Sequence, residues 1–168
     1  MVIQPGRIWR HVVATRRGMR RAFPDATLGA IEQSIQASER QHGGQIRFAV
    51  ETELGWQELF QGLEPRQRAL EVFSLLRVWD TEHNNGVLIY VLYADHAVAI
   101  VADRGFRDRV DDAAWAAICG QMQARFERGE FEAGALAGIK AVGRLMAAHF
   151  PVADGQRRDD MADRPTIL

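Results

Sequence analysis

Apolar and polar positions fall into blocks along this chain, and the period of the blocks changes in a regular order. In "QIRFAVET", Ile46, Phe48 and Val50 alternate with Gln45, Arg47 and Glu51, the two-residue period of a strand with one drier face. "VLIYVLY", Val87 to Tyr93, is apolar throughout, which is how an interior strand covered on both faces reads. "AVAIVA" resumes after only Ala94-Asp95-His96, so these two runs predict a hairpin. Between the first and second runs, Pro65 occupies a first helical position, and Ala69, Val72, Phe73, Leu76 and Trp79 follow the helical period as far as about Asp80. That helix is a crossover, which makes the first two strands parallel and the connection right-handed.

Helical patterns flank these strands. Asp25 or Thr27 is placed to cap a helix whose Leu28, Ile31 and Ile35 share a face, with Gly43-Gly44 as the left-handed residues that end it. Asp111 or Asp112 is placed to cap another, striped with Trp115, Ile118, Cys119, Met122 and Phe126 and stopped by Gly129. A last helix, about Phe131 to Phe150, carries Ala133, Gly134, Ala135, Ala137, Gly138, Ala141 and Gly143, small enough for a neighbour to approach its backbone. The order αβαββαα predicts an α/β fold, a three-layer α/β/α sandwich on a small mixed sheet. The domain spans 23–151, between a basic N-terminal arm, 1–22, and a polar C-terminal tail, 152–168, that reads as loose. In the arm, Ile8, Val12, Thr15, Met19 and Phe23 recur at helical spacing with arginines mostly on the other faces. Such a helix can lie on an anionic membrane surface, where each basic residue is worth roughly 1 kcal/mol; an extra packed helix or a loose arm fits the same spacing.

Composition narrows the function. A chain of 168 residues, 47% hydrophobic and 26% charged, has the size and make-up of one domain with a real core. A formal net charge of -1 argues against nucleic acid as a partner of the whole molecule. Cys119 is the only cysteine, which rules out an intramolecular disulfide or a cysteine metal cluster and suits a reducing compartment. Apolar runs before Phe23 are short and broken by arginine, unlike a secretory signal, and no run approaches the length of a spanning helix. A soluble cytoplasmic protein is expected, able to touch a membrane face.

The predicted topology brings His42–Gly44, Asp80–Asn85 and Asp103–Asp112 to one edge of the sheet. That edge gathers Asp80, Glu82, His83, Asn84, Asn85, Asp103, Asp108, Asp111 and Asp112, oxygen enough for a hard cation such as Ca²⁺ or Mg²⁺. The same residues also read as an ordinary turn and helix caps, since Asn and Gly tolerate positive φ. No HExxH or CxxC pairing, phosphate-binding glycine loop or GxSxG elbow is present. Cys119 sits among apolar neighbours and reads as a small core residue.

"HGGQIRFAVE", "EVFSLLRVWDTEHNNGVLIYVL", "VAIVADRGFRDRVDDAAWAAI" and "FERGEFEAGALAGIKAV" together resemble the TPM domain family, often labelled TPM phosphatase, over about Ala22 to Pro151. The resemblance implies an α/β/α fold, with metal binding and acid phosphatase activity proposed for some members. It is strongest to short bacterial cytoplasmic members, whose genes tend to lie beside those of a membrane-anchored TPM protein and a LemA-type membrane protein; these are the partners it implies, with a location in the cytoplasm, peripheral to the inner membrane. The chain departs from the family pattern at Asn84-Asn85-Gly86, where Asp-Asn-Gly is usual, and at Val101 and Arg107, where acidic residues are common; Asp112 is kept. Each missing carboxylate weakens divalent binding and phosphate activation. The expectation is therefore a noncatalytic interaction module with no cofactor, or at most a weakly held Ca²⁺ or Mg²⁺. The alternative is a metal-assisted acid phosphatase in which Asp80, Glu82, Asn84, Asn85 and Asp112 surround the ion and Arg104 or Arg107 holds phosphate oxygens.

Overall fold

The computed structural model describes residues 5–152 and 162–168. Helices α1 (Pro5–Val13), α2 (Arg16–Ala22) and α3 (Asp25–Glu39) lead into β1 (Gln45–Glu51), followed by α4 (Trp56–Phe60), α5 (Pro65–Leu75), β2 (Gly86–Leu92), β3 (Ala97–Ala102), α6 (Asp112–Glu127), α7 (Phe131–His149) and β4 (Thr166–Ile167). The sheet order is β3-β2-β1-β4. β1 and β2 are parallel, with Gln45 opposite Gly86, and β2 and β3 are antiparallel, with Val87 opposite Ala102.

The absence of alternation in β2 has the cause its sequence suggests. Val87, Ile89 and Val91 face one core, with Ile35, Phe48, Ile139 and Met146 from α3, β1 and α7. Leu88, Tyr90 and Leu92 face a second core, with Ala69 and Val72 of α5. Helices thus cover both faces, and the molecule is a three-layer α/β/α sandwich on a mixed sheet. On the larger face α6 and α7 approach closely: a Cβ on Gly138 would collide with the Met122 side chain.

The second core contains a polar group that had to be answered. Burial and the Glu51 carboxylate push the Tyr90 hydroxyl up, so it stays protonated and donates to Glu51 Oε2 at 2.5 Å. Arg68 of α5 donates to the same carboxylate through Nε and a terminal nitrogen, at 2.9 and 2.7 Å. A two-pronged contact of this kind orients α5 on the sheet as well as neutralising the carboxylate.

Several elements differ from the sequence expectation. The arm is two helices, because Thr15 accepts from the Gly18 amide at 3.0 Å and caps a second one. Its Met19 and Phe23 belong to the main core. Pro24 rather than Asp25 or Thr27 stands at the N-cap of α3, and the Thr27 hydroxyl instead donates to Glu132 on α7. Gly43 and Gly44 are not left-handed; the positive-φ glycines among the described residues are Gly62 and Gly129. The α5 helix ends at Leu75, short of Trp79, because Arg77 takes φ 53°. Helix α4 had no sequence signal. Past Pro151, Thr166 and Ile167 pair with Ala49 and Val50 as a fourth, parallel strand; the rest of the expected loose tail, 153–161, lies outside the described residues.

Candidate functional site

Parallel β1 and β2 begin at the same end of the sheet, where antiparallel β3 finishes, so three loops are forced together. Asn84 adopts φ 51°, the left-handed conformation that asparagine tolerates better than most residues. This turns its carbonyl toward Gly105, whose N–H donates to it at 2.9 Å. Asn85 is 2% exposed and serves as the rivet: its N–H donates to Thr81 Oγ1 at 3.0 Å, its Nδ2 to the Gly43 carbonyl at 3.0 Å, and its own carbonyl accepts from Gln45 N at 3.3 Å. Gly86 is needed for close approach rather than for φ, since a Cβ there would run into the Val78 carbonyl. The predicted meeting of these three loops is therefore present.

Their chemistry is that of a structural lip. Arg104, in the short 3-10 turn Arg104–Phe106 after β3, donates from Nε to Asn84 Oδ1 at 2.8 Å. Its backbone N–H donates to Asp103 Oδ1 at 2.7 Å. Asp103 Oδ2 is buried without a hydrogen-bond partner among the described residues. Asp80 is exposed and paired with Arg77 at 2.7 Å, while Glu82 is exposed on the same turn. Asp112 stands in the first turn of α6, which Asp111 caps by accepting from Ala113 N, and lines a groove of about 470 Å³ beside β3 with Arg66, Trp115, Cys119 and Gln123. Burial pushes the Cys119 thiol up, away from nucleophilic character.

A divalent cation needs several convergent oxygens, most of them anionic. Among the described residues no group of three or more His, Cys, Asp or Glu side chains is placed to hold a metal ion. Of the five candidate ligands, Asn84 and Asn85 are at the lip, but a guanidinium takes the Asn84 side-chain oxygen and the Asn85 amide is used between loops. As arranged, the set does not fit a divalent cation. His42, beside this lip, is 2% exposed with Nε2 3.0 Å from Ser38 Oγ, and burial pushes its imidazole down to about 4. It is a neutral, enclosed ring.

A second polar constellation lies at the opposite end of the sheet, and sequence reading missed it. Asp95, in the 3-10 turn Tyr93–Asp95 that joins β2 to β3, accepts from Arg7 Nε at 2.8 Å and from a terminal nitrogen of Arg10 at 3.0 Å. His11 Nε2 is 3.2 Å from the same carboxylate, and its Nδ1 accepts from Leu54 N at 3.0 Å. Burial alone would raise the Asp95 carboxyl, but His11, Arg7 and Arg10 together hold it well below the usual carboxylate range. The available signal was an acidic hairpin turn in a chain whose basic arm contains no acidic partner of its own.

The TPM domain model matches residues 17–145, and the chain belongs to the TPM domain family. Among solved structures it is similar to the BA42 protein from the psychrophilic bacterium Bizionia argentinensis, with 29% identity, a TM-score of 0.74, and coverage of 85% of this chain and 93% of that one. The N-terminal domain of the cg2496 protein from Corynebacterium glutamicum shares the fold at 11% identity and a TM-score of 0.53, over 80% of this chain and 82% of that one. No curated protein matches the sequence.

Proposed function

We propose that this TPM domain is a noncatalytic interaction module rather than a metal-assisted phosphatase. The observation that carries the proposal is the 2.8 Å contact of Arg104 Nε with Asn84 Oδ1. It sets a fixed positive charge among the loops where a phosphatase of the alternative kind would seat its ion, and it engages one of the two arginines that would have held phosphate. Asn84 is neutral, so at that position the guanidinium meets a hydrogen-bond acceptor and no anionic oxygen that a cation could share. The proposed partners are a membrane-anchored TPM protein or a LemA-type membrane protein, met in the cytoplasm at the inner membrane.

The deciding experiment is turnover of a generic aryl phosphate by the purified chain with Ca²⁺, Mg²⁺, Mn²⁺ or chelator, alongside Asp112→Ala. We expect no turnover above the protein-free blank under any of these conditions. Metal-dependent turnover abolished by Asp112→Ala would replace the module with the phosphatase.

A further inference from the structure

We infer that the α1–α2 pair is a docking element for an anionic lipid surface, with exposed apolar side chains of α1 entering the headgroup region and arginines of α2 meeting the anionic headgroups. The inference concerns the end of the sheet opposite the loop lip and does not depend on whether the lip is catalytic.

The arm is amphipathic in the reverse sense from a simple basic helix. On α1, Arg7 and His11 point into the protein, with side chains 12% and 2% exposed, because Asp95 holds them. Neutralised there, they are not available to a membrane. What α1 turns outward beside Arg10, itself half-exposed and paired with Asp95, is apolar: Trp9 is 66% exposed, Val12 49% and Val13 51%. A tryptophan with two aliphatic neighbours on the outside of a docked helix is costly in water and suits the bilayer interface, where tryptophan concentrates. Beside it, the segment that α1 grips at Leu54 and Leu63 carries α4, whose Trp56 and Phe60 are both exposed and stacked with ring centroids 6.2 Å apart.

The charge is on α2. Met19 anchors that helix in the core, while Arg16, Arg17, Arg20 and Arg21 are exposed. None of them makes a salt bridge among the described residues, and residues 5–24 contain no Asp or Glu. Both helices dock on the hairpin turn and line one cleft with it, Arg10 and Val13 from α1 and Thr15 and Gly18 from the start of α2. Glu53, exposed just before α4, and Glu58, half-buried within it, are acidic, so the electrostatic attraction is confined to the α2 side and Trp56 and Phe60 contribute only as apolar groups. Among the described residues no helix is long and apolar enough to cross a membrane; attachment of this kind is peripheral. Exposed aromatics together with arginines that make no salt bridge among the described residues, and no carboxylate on the same helices, fit an anionic bilayer better than a protein groove, which would need matched acidic groups at fixed positions.

The test is co-sedimentation of the full chain with vesicles of phosphatidylcholine alone and of phosphatidylcholine mixed with an equal amount of phosphatidylglycerol, at low and high salt. Two variants accompany it: Arg16, Arg17, Arg20 and Arg21 all changed to Gln, and Trp9→Ser with Val12→Ser. All these positions are exposed, and circular dichroism reports whether each variant is folded. Expected are binding to the anionic vesicles only, loss of binding at high salt, a drop of about fivefold per arginine removed, and weakened binding of the serine variant at low salt. Equal binding by folded arginine variant and parent would overturn the inference, as would parent protein that stays in the supernatant. So would retention on a short DNA duplex matching that on anionic vesicles, which would make the arginines a general polyanion patch.

Discussion

A buried histidine illustrates how one residue makes stability depend on pH. His42 lies against Ser38, in a slot kept open because position 143 is glycine; a Cβ there would strike Ser38 Oγ. Its imidazole titrates near 4 in the folded chain and at the ordinary 6.5 when unfolded. Below the unfolded value the open chain takes up a proton that the folded one refuses, so stability is complete above pH 6.5 and falls until pH reaches about 4. That difference between the two states corresponds to about 3 kcal/mol. Urea midpoints measured from neutral pH down to pH 4 are expected to show this decline, and a folded His42→Gln variant to lose most of it. A parallel decline in the variant would place the effect elsewhere. At this scale the sequence was legible where a single residue's backbone preference decides: Asn84 takes the left-handed turn that "HNNG" suggests. It was not legible where the partner is remote, as in the contact of Arg104 with Asn84 or of Asn85 with Gly43, because nothing local marks which of many polar groups will meet.

Helix α1 owes its position to one carboxylate. Asp95 is 8% exposed and engages three basic side chains from a single helix. Replacing it by Asn leaves Arg7 and His11 facing a buried site without their counter-charge, a change that costs about 3 kcal/mol in comparable pairs. We expect Asp95→Asn to strip hydrogen-exchange protection from α1 while amides of β1 and β2 keep theirs; unchanged protection in α1 would show that apolar packing alone holds it. The acid dependence has its own window. With the folded carboxyl depressed, the contribution is fully present above about pH 4 and is lost as pH falls below it, distinct from the His42 range. Elements were mostly legible: β1, β2, β3, the crossover and α6 follow from period and capping. The break in the arm was not, because Ile8 to Phe23 keeps helical spacing straight through Thr15, and the cap overrode the period. The burial of Arg7 against Asp95 was not legible either, because spacing says which residues share a face but not which face meets the protein.

The whole molecule manages its two sheet edges differently. β4 pairs with β1, the Leu168 amide donates to Val50 O at 2.9 Å, and Arg47 reaches Thr166 Oγ1 at 3.0 Å. The outer edge of β3 is met instead by side chains, Gln123 Oε1 on Val98 N at 3.4 Å and Arg66 on Ile100 O at 3.5 Å. Ending the chain after residue 161 would leave β1 as an open edge, the kind that recruits another strand. The expected result is a loss of roughly 2 kcal/mol in stability, with concentration-dependent association in sedimentation velocity; a truncated chain that stays monomeric at the parent's stability would assign β4 no structural weight. The two-residue strand escaped the sequence because it is too short to show a period, and its apolar residues follow a polar stretch. The sandwich itself was legible, since β2 has no polar face to offer solvent.

β4 runs in the same direction as β1 and β2, and this gives the molecule a polarity that matters to anyone attaching a handle to it. Residue 168 and α1 emerge toward one pole, while the His83 turn marks the other. A bulky fusion at either extremity would crowd the same hemisphere, whereas a small fluorophore at His83 would leave it open.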